Sequence, residues 1–227
     1  KSYTTDPDNL IEGQVWYDKT NKVLQFQAAG AAAWSSGGNM NTNRSLSGSA
    51  GTQTAAITFG GSTPSATDNT ELYNGSSWTE TADLNTARSQ LKGAGSGTST
   101  ATLAFGGTPG QKAITELWNG SGWTEVGDLN TARHFLMDAG NATNALAFGG
   151  GDGSGAKSET ESWNGSAWTE VADLNTGREF GMGSGIYTSA LAYGGSDAPR
   201  ALTESWNGTA WTEVGDLNTG RYNGQGI

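Results

Sequence analysis

The sequence predicts an all-β fold: a five-bladed β-propeller whose last blade is shared between the two chain ends. Three observations carry that expectation. The stretch TELWNGSGWTEVGDLNTAR at 115–133 returns, with few changes, at 70–88, 160–178 and 203–221. A glycine pair closes an apolar run once per unit, at Gly60-Gly61, Gly106-Gly107, Gly149-Gly150 and Gly194-Gly195. Within that run large and small side chains alternate with the period of a strand, as in Leu103/Phe105 against Thr102/Ala104.

Each unit reads as four short strands. The arginine after the Asn-Thr pair marks the period, at Arg44, Arg88, Arg133, Arg178 and Arg221, with spacings of 44, 45, 45 and 43 residues. The first strand follows the arginine, as in RHFLMDAG. The second is the apolar run before the glycine pair. The third and fourth form a tight hairpin, TELWNGSGWTEV, with Asn-Gly at the turn, where positive φ at both positions is expected. No segment carries an extended 3.6-residue apolar period, so almost no helix is expected.

The alternation in the second strand sets how the sheets pack. Ile57/Phe59, Leu146/Phe148 and Leu191/Tyr193 oppose Ala56/Thr58, Ala145/Ala147 and Ala190/Ala192 in the same way. One face of every sheet is bulky and the other is slim. Such sheets nest radially, each bulky face filling the shallow face of the next, which is a propeller. The expected single domain has a lead-in at 1–12, the N-terminal part of the closing blade at 13–43, four full blades at 44–217, and its first strand at 218–227. In this reading GQVWYD, KVLQFQ and AAAWSSGG supply strands two to four of the closing blade, and RYNGQGI supplies strand one. Closure of this kind removes the exposed sheet edges.

Composition narrows the function. The net charge of −10 lacks the basic patch of a nucleic-acid binder, and an acidic surface is repelled by anionic membranes. No apolar run is long enough for a membrane-spanning helix. Cysteine is absent and His134 is the one histidine, which argues against a transition-metal centre and a nucleophile–histidine triad. No cofactor and no catalytic set are expected. The carboxylates that recur in every unit (Glu71, Glu116, Glu161, Glu204; Asp83, Asp128, Asp173, Asp216) and the recurring arginines read as architecture, bonding backbone and each other. GDGSGAKSE at 151–159 lacks the further acidic ligands of a calcium loop around Asp152. The Asn-x-Ser/Thr sequences at Asn74, Asn119, Asn141, Asn164 and Asn207 match glycosylation acceptors, four of them at the hairpin turn itself. The regularly placed tryptophans read as framework packing.

Function is therefore expected where the units diverge. One divergent zone is the start of the innermost strand: SLSGS, SQLKG, HFLMD, EFGMG and YNGQG. The other is the loop between strands two and three. In an up-and-down sheet both zones gather at one mouth of the ring. Lys92, His134, Phe135, Asp138, Glu179, Phe180 and Tyr222 are channel candidates; Lys112, Asp152, Lys157, Asp197 and Arg200 are rim candidates. These segments could equally vary because nothing constrains them.

The glycine pair, the aromatic at Tyr73, Trp118, Trp163 and Trp206, the tryptophan five residues on, and LNTAR together resemble kelch repeats over about residues 24–227. The aromatic-to-tryptophan interval is one residue shorter than usual. Galactose oxidase shares the repeat, but its copper chemistry needs several histidines and a cysteine that are absent here. Tandem units of the type GTQTAAITFGG (51–61), with the lead-in EGQVWYDKTNKVLQFQ, look like virion proteins of marine tailed phages. That resemblance implies a non-enzymatic tail-fibre, tail-appendage or capsid-decorating protein located in the virion. Its implied partners are other virion proteins, host-surface glycans or receptors, and further copies of itself. The alternative is a secreted or cell-surface bacterial kelch module that binds carbohydrate or protein.

Overall fold

The computed structural model describes residues 2–3, 15–26, 36–197 and 199–223. The chain divides into two compact units, Lys1–Gly37 and Gly38–Ile227. The first holds a three-stranded sheet of β1 (Ser2–Tyr3), β2 (Val15–Asp18) and β3 (Val23–Phe26), with β1–β2 parallel and β2–β3 an antiparallel hairpin. The second is a β-propeller of four blades, each an antiparallel four-stranded meander.

Blade one is β4 (Gly48–Thr52), β5 (Ala55–Phe59), β6 (Thr70–Tyr73) and β7 (Trp78–Glu80). Blade two is β8 (Lys92–Gly93), β9 (Thr102–Phe105), β10 (Thr115–Trp118) and β11 (Trp123–Glu125). Blade three is β12 (Met137–Gly140), β13 (Ala145–Phe148), β14 (Thr160–Trp163) and β15 (Trp168–Val171). Blade four is β16 (Met182–Ile186), β17 (Ser189–Tyr193), β18 (Thr203–Trp206) and β19 (Trp211–Glu213). The innermost strands β4, β8, β12 and β16 lie side by side in series.

The expected nesting of bulky on slim faces is what holds neighbouring blades. Ile57 and Phe59 of blade one share a core with Ala104, Trp118 and Trp123 of blade two. Leu103 and Phe105 meet Ala145, Ala147, Trp163 and Trp168. Leu146 and Phe148 meet Ala190, Ala192, Trp206 and Trp211. The small alanines leave room for the incoming rings, so Phe59 sits edge-on to Trp123 at 4.7 Å and Phe105 to Trp168 at 5.1 Å. In blades two to four the outer tryptophan also donates its indole N–H back to the preceding blade. Trp123 bonds Thr70 Oγ1 at 3.0 Å, Trp168 bonds Thr115 Oγ1 at 2.9 Å and Trp211 bonds Thr160 Oγ1 at 3.0 Å.

A buried ion pair locks each connection between blades. Arg88 Nη2 lies 2.9 Å from Glu116 Oε1, and its Nη1 donates to the Gly106 and Ile114 carbonyls at 3.0 and 2.7 Å. Arg133 repeats this with Glu161 at 2.8 Å, and Arg44–Glu71 and Arg178–Glu204 are the equivalent pairs. The other carboxylate oxygen takes the backbone N–H and the side-chain amide of Asn85, Asn130, Asn175 or Asn41. A buried ion pair needs partners for its remaining donors and acceptors, and the unit's own backbone supplies most of them, although Nε of Arg88 and of Arg133 stays buried without one. The recurring aspartates accept the N–H that opens the third strand, as in Asp128 Oδ1 to Thr115 N at 3.1 Å.

The expectation of five blades is overturned. The propeller has four, and no described strand within residues 13–43 joins the C-terminal segment in a sheet. Val15–Asp18 of GQVWYD and Val23–Phe26 of KVLQFQ do form strands, but in the separate sheet of the first unit. Most of AAAWSSGG and residues 224–227 lie outside the described residues, and Arg221–Asn223 form no strand. The physical reason is legible in composition. Residues 13–43 contain no glutamate, no Thr-Glu pair and no Asn-Gly turn, so they offer Arg221 no equivalent of the latch that Glu116 gives Arg88. Arg221 is exposed, and among the described residues its Nε donates to the Thr219 carbonyl two positions earlier, at 3.3 Å. The bulky face of blade four is correspondingly open: Leu191 is 40% exposed, where Leu103 and Leu146 are 0% and 1%.

The hairpin turn also differs in detail from its expected form. Between β10 and β11 the loop has four residues, Asn119–Gly122, and only Gly120 has positive φ, at 94°. Asn119 acts through its side chain: Oδ1 accepts the N–H of Ser121 and of Gly122, both at 3.0 Å, and the Ser121 hydroxyl at 2.9 Å. Asn74, Asn164 and Asn207 do the same in their blades, and Asn141 does so in the β12–β13 turn.

Candidate functional site

The approach to each innermost strand is built from three residues with different duties. In the second unit, Ser89 pairs with Thr108 as an isolated antiparallel bridge, and Leu91 is buried in the inter-blade core. Gln90 stands between these two anchors with φ of 58°. The same position, two after the arginine, holds Leu46 (57°), Phe135 (49°), Phe180 (56°) and Asn223 (57°). A left-handed conformation costs a non-glycine residue on the order of 1–2 kcal/mol. It persists because the neighbours are pinned on both sides, and it turns the intervening side chain toward the central axis. Successive units are stitched there by backbone bonds: Gln90 N to Leu46 O at 2.8 Å, Phe135 N to Gln90 O at 3.0 Å, and Asn223 N to Phe180 O at 2.9 Å.

These turns surround a cavity of about 400 Å³ at one mouth of the propeller. Its wall includes Leu46, Gln90, Phe135, Phe180 and Asn223, and also Lys92. Phe135 and Phe180 lie against each other with ring centroids 3.7 Å apart and planes 33° apart. The five left-handed positions carry Leu, Gln, Phe, Phe and Asn, whereas the framework residues around them barely change. The cavity wall is thus written largely by one register position that the scaffold holds in place and leaves free to vary.

Of the channel candidates, Lys92, Phe135 and Phe180 line this cavity. Asp138 sits deeper, in a narrow crevice with Gly95, Ser96, Ala139 and Gly183–Gly185. Its Oδ2 accepts the Gly95 N–H at 2.9 Å, and its Oδ1 lies 4.0 Å from Lys92 Nζ. Burial pushes the Asp138 carboxyl up, against the opposing pull of Lys92 and the Gly95 N–H. His134 is beside the cavity and not in its wall. Its ring meets Phe135 edge-on at 5.1 Å, its backbone pairs with Gly151, and its Nδ1 is buried without a hydrogen-bond partner. Glu179 packs over Gly151, and burial raises its pKa, with His134 opposing and Asp197 adding to the shift. Tyr222 is exposed and lies under the Arg200 guanidinium, 5.1 Å from ring centroid to charge.

The rim candidates separate into local contacts. Asp152 and Lys157 form a half-buried ion pair at 2.8 Å, and with Ser154 that lysine holds the Asp152 carboxyl well below the usual range. Arg200 donates to the Ser196 carbonyl at 3.0 Å, and Asp197 accepts from the Ser196 hydroxyl at 3.3 Å. Lys112 serves through its backbone, donating to Gly107 O at 2.8 Å and accepting from Arg133 N at 3.2 Å. Lys112, Asp152, Lys157, Asp197 and Arg200 are all absent from the cavity wall. Leu46, Gln90 and Asn223 belong to that wall but were not singled out from sequence. The available signal was their common offset of two from each arginine, read together with the variation at that offset.

Among the described residues no cluster of three or more histidine, aspartate or glutamate side chains is placed to hold a metal. A scan against protein-family models finds no match to the chain. A search among curated proteins finds no match either.

Proposed function

We propose that this propeller is a non-enzymatic adhesion and structural module of a phage virion, a tail-fibre, appendage or capsid-decorating protein that presents its channel mouth to host-surface glycans. The observation that carries the binding part is the cavity: about 400 Å³, with a stacked phenylalanine pair and polar groups on a wall held by strained backbone. That volume suits a small ligand such as one or two sugar rings, and mixed aromatic and polar walls suit their C–H faces and hydroxyls. The virion assignment is supported by the resemblance to kelch-type tandem units of tailed-phage proteins, and by a scaffold whose recurrent charges are spent on internal latches. Two measurements test it. Antibody labelling of purified particles should place the chain on the virion; labelling of bacterial envelopes instead would favour the cell-surface kelch module. A glycan array with the full chain should return saccharide binders whose signal falls when Phe135→Ala or Phe180→Ala is introduced. No binding to any saccharide would overturn the adhesion reading.

A further inference from the structure

The charge on the cavity wall is opposite to that of the whole molecule. The chain carries −10, yet the wall residues include two cations, Arg44 and Lys92, and no carboxylate. Arg44 is consumed by its latch to Glu71, the Thr42, Gly60 and Asn69 carbonyls. Lys92 is not consumed. Its ammonium has three donors, and among the described residues it makes no hydrogen bond and has one carboxylate neighbour, at 4.0 Å, the limit of an ion pair. That neighbour, Asp138, already accepts the Gly95 N–H and lines a separate narrow crevice, where burial works against its charge. A lysine 17% exposed, in a cavity wall and incompletely paired, is a cation held ready for an anion in that cavity.

We propose that the mouth selects acidic saccharides, with a sugar carboxylate or sulfate on Lys92 and a ring face on the Phe135–Phe180 pair. This rests on the glycan-adhesion reading and names its substrate class. Rings pack on aromatic faces whatever their charge, so the phenylalanines hold the sugar and Lys92 decides which sugar. The acidic exterior opposes the approach of any polyanion, so long-range attraction contributes nothing and discrimination must come from direct contact.

The experiment is titration calorimetry of the full chain with trigalacturonate, a sulfated trisaccharide and a neutral trisaccharide such as maltotriose. Trigalacturonate or the sulfated sugar is expected to bind at least tenfold tighter than maltotriose, and whichever of the two is tighter identifies the anion. Lys92→Gln should abolish that preference, lowering acidic-sugar affinity about tenfold as one charge-assisted bond is lost, while maltotriose affinity changes by far less. Asp138→Asn removes the competing carboxylate and should tighten the acidic sugar several-fold; because it keeps a hydrogen-bond acceptor for Gly95, it also guards against a Lys92 variant that misfolds. Maltotriose binding equal to that of both acidic sugars, or acidic-sugar binding indifferent to both substitutions, would overturn acid selectivity and leave glycan adhesion standing. Binding of none of the three sugars, with an empty glycan array, would remove both.

Discussion

The recurring arginine shows how one residue type acquires different worth from its surroundings. Arg133 and Glu161 are fully buried and bonded to each other, so Arg133→Met strands a carboxylate in the interior. A loss of about 3–5 kcal/mol in urea unfolding is expected. Arg221 stands at the same offset in its unit but is exposed, with no carboxylate partner among the described residues, so Arg221→Met should stay within about 0.5 kcal/mol of the parent. Buried carboxyls split in the same way. Burial pushes the Glu71 carboxyl up, but the Asn41 and Thr42 N–H groups, Arg44 and the Asn41 amide together carry it below its ordinary value. Glu71 thus adds stability that is present at neutral pH and is lost as pH falls through its folded pKa. Asp138 has the opposite sign. Its folded pKa lies above the unfolded one, so the fold binds more protons in the interval between them, and stability falls as pH rises through the folded value. Asp138→Asn should therefore raise the melting temperature at pH 7, and the gain should shrink on acidification toward pH 4; a gain independent of pH would exclude ionisation as its cause.

At the scale of the element, the strand-to-loop transition is where the chain tolerates least. Gly106 and Gly107 both have positive φ, at 70° and 112°, and a Cβ on Gly106 would fall 2.6 Å from the Arg133 carbonyl oxygen and 2.4 Å from Leu136 Cδ1. Gly110, in the loop just beyond, has φ of 53° and open space around it. Gly106→Ala thus combines backbone strain with a clash against main chain, and should cost about 2–4 kcal/mol. Gly110→Ala carries the strain alone and should cost about 1 kcal/mol. Thermal melts of the two variants compare them directly. The left-handed turns before β8, β12 and β16 belong to the same economy of pinned neighbours. The pinning was visible in sequence as a constant arginine and a constant glycine pair. The turn of Gln90, Phe135 and Phe180 toward the axis was not, because left-handed backbone at a non-glycine residue has no composition signal.

For the whole molecule, the repeat defines an interface and the number of repeats defines how many times it is used. Leu146 and Leu191 occupy one register position in blades three and four, but only Leu146 has a slim face packed against it. Leu146→Ala should cost about 2–5 kcal/mol and Leu191→Ala under about 1 kcal/mol, read from denaturant midpoints at constant slope. Thr203 shows the same asymmetry. Its counterparts Thr70, Thr115 and Thr160 each accept a tryptophan N–H from the following blade, whereas its hydroxyl turns to the Ala201 carbonyl at 3.4 Å.

By itself the sequence determined the strands, their up-and-down order, the nesting of Phe59, Phe105 and Phe148 against alanine and tryptophan, and the architectural use of the repeated charges. Each of these is a local or nearest-neighbour property, copied four times, so period and alternation suffice to read it. The blade count, the assignment of residues 15–26 to their own sheet, and the separation of Lys92, Phe135 and Phe180 from the rim residues were decided by tertiary structure alone. Those depend on whether a divergent segment can supply a glutamate to Arg221, and on where five left-handed turns aim their side chains. Both are relations between residues far apart in the chain, which no periodicity encodes.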